Sequence, residues 1–230
     1  MRYSNILFDA DDTLFDYSQG ESYALTRSLE QEGIICTDEV VQAYRVINQQ
    51  LWDDFEQRKI KLDTLRTERF SRLIHELSLP IKSDVHFFSE CYLKFLGEAA
   101  FLVEGAYDIC KYLKDSGKEL SIITNGIKKV QMNRIARSDL AEFFTEIIVS
   151  EDTGYQKPHP GIFDYAFAKL GTPDKAKVLI VGDSLTSDMK GGIDYGIDTC
   201  WFNPRHLPNP PEIRPTYEID RLQQIKTFIL

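Results

Sequence analysis

Four short apolar runs in the second part of the chain alternate with helix-patterned segments. The runs are Leu120–Thr124, Phe144–Val149, Lys177–Val181 and Asp198–Phe202. Each is continuously apolar or nearly so, as a strand covered on both faces must be. The segments beside them are "AYDICKYLKDSG", "KKVQMNRIARSDL", "PGIFDYAFAKLG" and "SDMKGGIDYG", with Gly117 and Gly171 placed as helix stops and Pro160 as a start. Strand alternating with helix demands a parallel α/β sheet with right-handed crossovers. A fifth run, Tyr3–Phe8, breaks the rhythm. After it come four stretches of helical period, "QGESYALTRSLEQEG", "DEVVQAYRVINQQLWDDFEQRKI", "LDTLRTERFSRLIHELSLP" and "SDVHFFSECYLKFLGEA". That is far more than a loop can be. The pattern predicts an α/β core from residues 1–16 and 100–230, with a four-helix domain, 17–99, inserted after the first strand. "PRHLPNPPEIRP" reads as an irregular surface loop.

At 230 residues with 43% hydrophobic content, the chain can bury a sizeable core. A net charge of −9 repels phosphate backbones and anionic membranes, so neither a nucleic-acid polymer nor a membrane surface is an expected partner. Small anions stay open, because a local site can differ in sign from the whole. Cys36, Cys91, Cys110 and Cys200 show no Cys-x-x-Cys spacing, so buried free thiols in a reducing compartment are expected. With no apolar run long enough for a signal peptide or a membrane helix, the default location is the cytoplasm.

Ligands of an open parallel sheet bind at the carboxyl ends of its strands. Four polar clusters fall there: Asp9-Ala10-Asp11-Asp12-Thr13, Thr124-Asn125-Gly126, Gln156-Lys157-Pro158, and Gly182-Asp183-Ser184 with Asp188 beyond. Singly, each has an ordinary reading. Asp12 or Thr13 can cap a helix, "TNG" can be a turn, Lys157 a solvated side chain, and Ser184 or Thr186 a cap. Together they converge on one crevice if the first strand lies between the second and the fourth. Asp9, Asp11 and Asp183 would form a hard oxygen site suited to Mg²⁺, which answers the repulsion between carboxylates two residues apart. One carboxylate can attack phosphorus, and a second can move the proton. The hydroxyl and N–H groups at residues 124–126 can hold phosphoryl oxygens, and Lys157 can neutralise developing charge.

In these four motifs, and over essentially its whole length, the chain resembles haloacid dehalogenase superfamily hydrolases with an α-helical cap after the first motif. The "FDADDTLFD" opening is similar to that of nucleotidase-like members. The resemblance implies a Rossmann-like sheet of strand order 5-4-1-2-3. It implies Asp9 as nucleophile and Mg²⁺ ligand, and Asp11 as general acid/base that lends its backbone carbonyl to the metal. Thr124 and Asn125 are implied to bind the phosphoryl group and Lys157 to bridge it to Asp9. Asp183 is implied to ligate Mg²⁺, with Asp188 supporting the metal shell or orienting Lys157. It also implies that the Lys157-Pro158 turn aims the lysine through a cis bond. Many relatives have Gly where Asp12 stands, and capping the next turn is the role expected of Asp12.

The expected activity is Mg²⁺-dependent hydrolysis of a small phosphate monoester through an aspartyl-phosphate. By resemblance to pyrimidine 5′-nucleotidases, the substrate is a nucleoside 5′-monophosphate. Phosphoglycolate or a sugar phosphate is the alternative, and phosphomutases share the motifs. Dehalogenases of the superfamily lack the second carboxylate, so Asp11 argues against carbon–halogen cleavage. A receiver-type phospho-accepting module would be about half this length and lack the insertion. In the insertion, Trp52, Phe55 and Arg58 could stack on a base and steer a phosphate, or simply pack and be solvated. Asp16–Tyr17 and Ala99–Phe101 are the expected hinges. His159 reads as a turn residue. The oligomeric state is not legible.

Overall fold

A computed structural model describes residues 2–57 and 59–229. The chain divides into two compact units, Met1–Tyr17 with Ala100–Leu230, and Ser18–Ala99.

The first unit is built on one parallel sheet. Its strands are β1 (Asn5–Phe8), β2 (Glu119–Thr124), β3 (Phe144–Val149), β4 (Val178–Gly182), β5 (Asp198–Phe202) and β6 (Tyr217–Ile219). Their spatial order is β3-β2-β1-β4-β5-β6, which contains the expected five-strand order with one strand added at the edge. β6 comes from "YEI", a three-residue run too short to register against the proline-rich segment before it, which is irregular as expected. The fourth strand starts one residue later than the apolar run suggests, because Lys175–Lys177 form a 3₁₀ turn capped by the Asp174 side chain.

The sheet is apolar on both faces because both are covered. Ile6, Phe8, Leu120, Ile122, Leu179 and Val181 pack with Ile109, Cys110 and Leu113 on one side. Leu7, Ile123, Ile148, Val178 and Ile180 pack with Ile162, Phe163 and Phe167 on the other. Neighbours in sequence thus face opposite layers, the two-residue period of a strand. Cys110 and Cys200 are buried, whereas Cys36 and Cys91 are only half-buried, and all four are free thiols.

The second unit holds four helices, α1 (Tyr17–Gln31), α2 (Asp38–Glu56), α3 (Leu62–Leu77) and α4 (Val85–Glu98), α1 beginning one residue before the boundary. Thr37 and Asp84 cap α2 and α4 by accepting from the first-turn N–H groups. An aromatic cluster of Tyr44, Phe70, Phe88 and Tyr92, with ring centroids 5.0–5.6 Å apart, fills its interior. Among the described residues no helix is long and apolar enough to cross a membrane. The remaining helices belong to the sheet unit: α5 (Ala106–Asp115), α6 (Lys128–Arg137), α7 (Ser150–Thr153), α8 (Pro160–Lys169) and α9 (Lys190–Tyr195).

Candidate active site at the carboxyl edge of the sheet

Strand register decides which side chains meet. Phe8 of β1 is level with Ile122 of β2 and with Val181 of β4. The next residue, Asp9, therefore emerges beside Ile123 on one flank and Gly182 on the other, where the central strands end. Its N–H donates to the Val181 carbonyl at 2.9 Å, and its side chain is 11% exposed.

Lys157 reaches this point from the connection between α7 and α8. Its Nζ donates to Asp9 Oδ1 at 2.5 Å, to Asp188 Oδ1 at 2.6 Å and to the Ile123 carbonyl at 2.6 Å, which satisfies all three ammonium protons. The backbone that carries it is clamped by Asn125. The Asn125 Nδ2 donates to the Lys157 carbonyl at 2.9 Å, and Oδ1 accepts from the Lys157 N–H at 2.8 Å. The Asn125 side chain thus clamps the lysine turn with one Nδ2 proton and one Oδ1 lone pair, and the clamp does not use the second Nδ2 proton. Thr124, buried at the end of β2, accepts from Gly126 N–H at 3.0 Å and keeps its hydroxyl proton to give. The Lys157–Pro158 peptide is cis. His159 caps α8, its Nδ1 accepting from Gly161 N–H at 3.0 Å.

After β4 the chain makes a π-helical turn, Leu185–Met189, that returns Asp188 to the cluster. Asp188 Oδ2 accepts from Ser184 N–H at 3.1 Å and lies directly over Gly182, where a Cβ would come within 2.3 Å of that oxygen. Only glycine admits it. Trp201 Nε1 on β5 holds the Asp183 carbonyl at 2.8 Å.

Carboxylate oxygens of Asp9, Asp183 and Asp188 lie within 4.8 Å of one another. Against these three, Lys157 is the one buried cation bonded to the group among the described residues. Burial, with the charges of Asp188 and Asp11, raises Asp9 to about 7 against the pull of Lys157. Loss of water, then Asp9 and Asp188, raises Asp183 well above the usual carboxylate range. Lys157 moves up as well, because Asp188 and Asp9 outweigh its burial. Such crowding marks a place for a further cation. A hard, all-oxygen donor set of this size fits a divalent metal such as Mg²⁺.

Asp11 and Asp12 leave this cluster. Asp12 sits at φ 55° and its Oδ1 accepts from the Tyr17 N–H at 3.2 Å, at the start of α1. A left-handed backbone explains why glycine suits this position, and the acceptor explains what Asp adds. Asp12 is raised to about 6 by burial and by Asp11. The Asp11 carboxylate meets two residues that no motif pointed to. Gln131 Nε2 donates to its Oδ2 at 2.6 Å, and Arg134 Nη2 donates to its Oδ1. Both lie on α6, three residues apart, and Arg134 looks in the sequence like any other helix-face cation.

Trp52 and Phe55 belong to the helical unit. Half-buried, they pack edge to face with ring centroids 5.7 Å apart. Arg58 lies outside the described residues.

The chain matches the family described as haloacid dehalogenase-like hydrolase over residues 6–202. It is 36% identical to the pyrimidine 5′-nucleotidase PynA of Streptococcus pneumoniae, covering 98% of this chain and 94% of that one. It is 33% identical to the pyrimidine 5′-nucleotidase YjjG of Escherichia coli, covering 100% and 99%. A crystal structure of the HAD-hydrolase YfnB of Bacillus subtilis bound to magnesium superposes with a TM-score of 0.92 at 41% identity, over 100% of this chain and 99% of that one. With the sheet order, the carboxylate cluster and this match over most of its length, the chain belongs to the haloacid dehalogenase-like hydrolase family.

Proposed function

We propose that this phosphoric monoester hydrolase acts on nucleoside 5′-monophosphates, transferring the phosphoryl group to Asp9 and then to water. The observation that carries the reading is the junction of Asp9, Lys157 and Asp188 beside Asp183 at the ends of β1 and β4. Asp9 attacks phosphorus through its carboxylate, forming the acyl-phosphate while the ester oxygen departs. Asp11 gives that oxygen a proton, and in the second half takes one from the water that attacks phosphorus and restores Asp9. Thr124 donates its hydroxyl, and Asn125 and Gly126 offer backbone N–H groups, to the transferring oxygens. Lys157, fixed by Asn125, Asp188 and the Ile123 carbonyl, holds Asp9 still and offsets charge in the transition state. A Mg²⁺ ion would be held by the carboxylates of Asp9 and Asp183 and the Asp11 carbonyl, and would draw charge off the phosphoryl oxygens. The helical unit, 17–99, is read as a cap domain, with hinges at Asp16–Tyr17 and Ala99–Phe101.

The choice of a nucleotide rests on the likeness to two pyrimidine 5′-nucleotidases. The test is a phosphate-release screen of nucleoside 5′-monophosphates, phosphoglycolate and sugar phosphates, with Mg²⁺ and with EDTA, ranked by kcat/KM. Pyrimidine nucleotides are expected first, with turnover lost in EDTA and restored by Mg²⁺. A sugar phosphate or phosphoglycolate ranked first overturns the substrate, and full rates in EDTA overturn the metal.

A further inference from the structure

Arg134 is a guanidinium with no solvent exposure, set behind a carboxylate that is 30% exposed. Its Nη2 donates both to Asp11 Oδ1 and to Gln131 Oε1, the latter at 2.8 Å, while Gln131 Nε2 holds Asp11 Oδ2 at 2.6 Å. The three side chains therefore close a ring, with one donor on each carboxylate oxygen. The guanidinium lies 4.6 Å from the centre of the Phe15 ring, which fixes its plane. Its Nε and Nη1 have no hydrogen-bond partner among the described residues. The hydrogen bonds that this buried guanidinium makes go to Asp11 and Gln131. The backbone is shaped to admit the ring as well. A Cβ on Gly126 would come within 2.0 Å of Gln131 Nε2, so a side chain there would push Gln131 off Asp11.

We propose that Gln131 and Arg134 are positioning residues for Asp11, fixing its carboxyl plane for proton transfer to the departing oxygen of the ester. This rests on the phosphatase reading above. A carboxylate oxygen has two lone-pair directions, and the ring uses one on each, leaving an outward one to carry the proton. When Asp11 gives that proton to the alkoxide, the ring receives the carboxylate left behind. When Asp11 later takes a proton from water, the same outward direction is used, so the protons balance over the cycle.

The test compares two leaving groups in Gln131→Ala, Arg134→Met and Arg134→Lys. An alkyl oxygen, as in a nucleoside 5′-monophosphate, needs the proton, whereas 4-nitrophenolate departs without it. If the ring positions the acid, kcat/KM on the nucleotide falls on the order of 10²-fold in Arg134→Met, and on 4-nitrophenyl phosphate by a factor about ten times smaller. Arg134→Lys recovers part of the nucleotide rate. Gln131→Ala, which keeps the buried charge paired, shows the same split to a lesser degree and carries the test if Arg134→Met does not fold. An equal fall on both substrates, or no fall, overturns the inference. A wild-type chain that releases phosphate from neither substrate overturns the functional reading instead.

Discussion

Both units of the molecule bury charge, and they do so differently. In the helical unit, Glu21 accepts from Arg45 Nε at 3.1 Å and from Asn48 Nδ2 at 3.2 Å, and Arg69 Nη1 donates to Asn48 Oδ1 at 3.2 Å. Arg69 also lies 4.9 Å and 4.8 Å from the centres of the Phe70 and Tyr92 rings. One carboxylate there faces two guanidinium groups, so the set is closed to any further cation. At the sheet edge three carboxylates share Lys157. A closed cluster is what packing alone selects, whereas a cluster short of a cation is tolerated where binding a cation is the purpose.

The largest expected contrast is in rate. Asp9→Asn removes the carboxylate proposed to attack phosphorus and should lower phosphate release by more than about 10⁴-fold, with near-native circular dichroism. Retention of most of the rate would end the assignment of Asp9 as nucleophile. The mirror change, Arg69→Ala, removes a buried cation from the closed cluster. It should cost on the order of 3 kcal/mol in urea unfolding, while Mg²⁺ still raises the melting temperature. A loss of the Mg²⁺ response in Arg69→Ala would erase the distinction between the two clusters.

The pH dependence sharpens the same contrast. In the unfolded chain an Asp titrates near roughly 3.9, whereas in the metal-free fold Asp9 is raised to about 7. Below both values each state keeps the proton and nothing is lost. Between them the unfolded chain releases it and the fold does not, so stability falls as pH rises, and the full penalty stands above 7. Mg²⁺ at a hundred times its Kd stabilises by ~2.7 kcal/mol where the site is ionised. The rise in melting temperature with Mg²⁺ should therefore be larger at pH 8 than at pH 5, and equal rises would show that Asp9 does not meet the metal. The smallest effect is at Asp12. Asp12→Gly relieves the left-handed strain but loses the acceptor for the Tyr17 N–H, so stability should change by less than ~1 kcal/mol with phosphate release kept.

The contrast also explains what could be read from the sequence. Strands buried on both faces leave continuous apolar runs, and a helix following each run fixes a parallel sheet, so β1 to β5 and the four-helix insertion were visible. β6 was not, because three residues carry no period. Asp9, Asp183 and Lys157 were legible since each directly follows a strand or precedes a proline. The use of Asn125 as a clamp on the Lys157 backbone was hidden, because it depends on how two loops distant in sequence approach. Gln131 and Arg134 were hidden for the same reason, an α6 face being silent about which carboxylate it will meet. The closed cluster around Glu21 joins α1, α2 and α3 and leaves no local mark.

The central claim is that the carboxylate crowded between Lys157 and Asp183 takes the phosphoryl group as an acyl-phosphate. The direct measurement is to quench the enzyme during turnover, reduce it with borohydride, and read the peptide containing residue 9 by mass spectrometry. Acyl-phosphate reduction at Asp9, converting it to homoserine only when substrate and Mg²⁺ are both present, is the result predicted. An unmodified Asp9 under steady turnover, or modification at another residue, would contradict it.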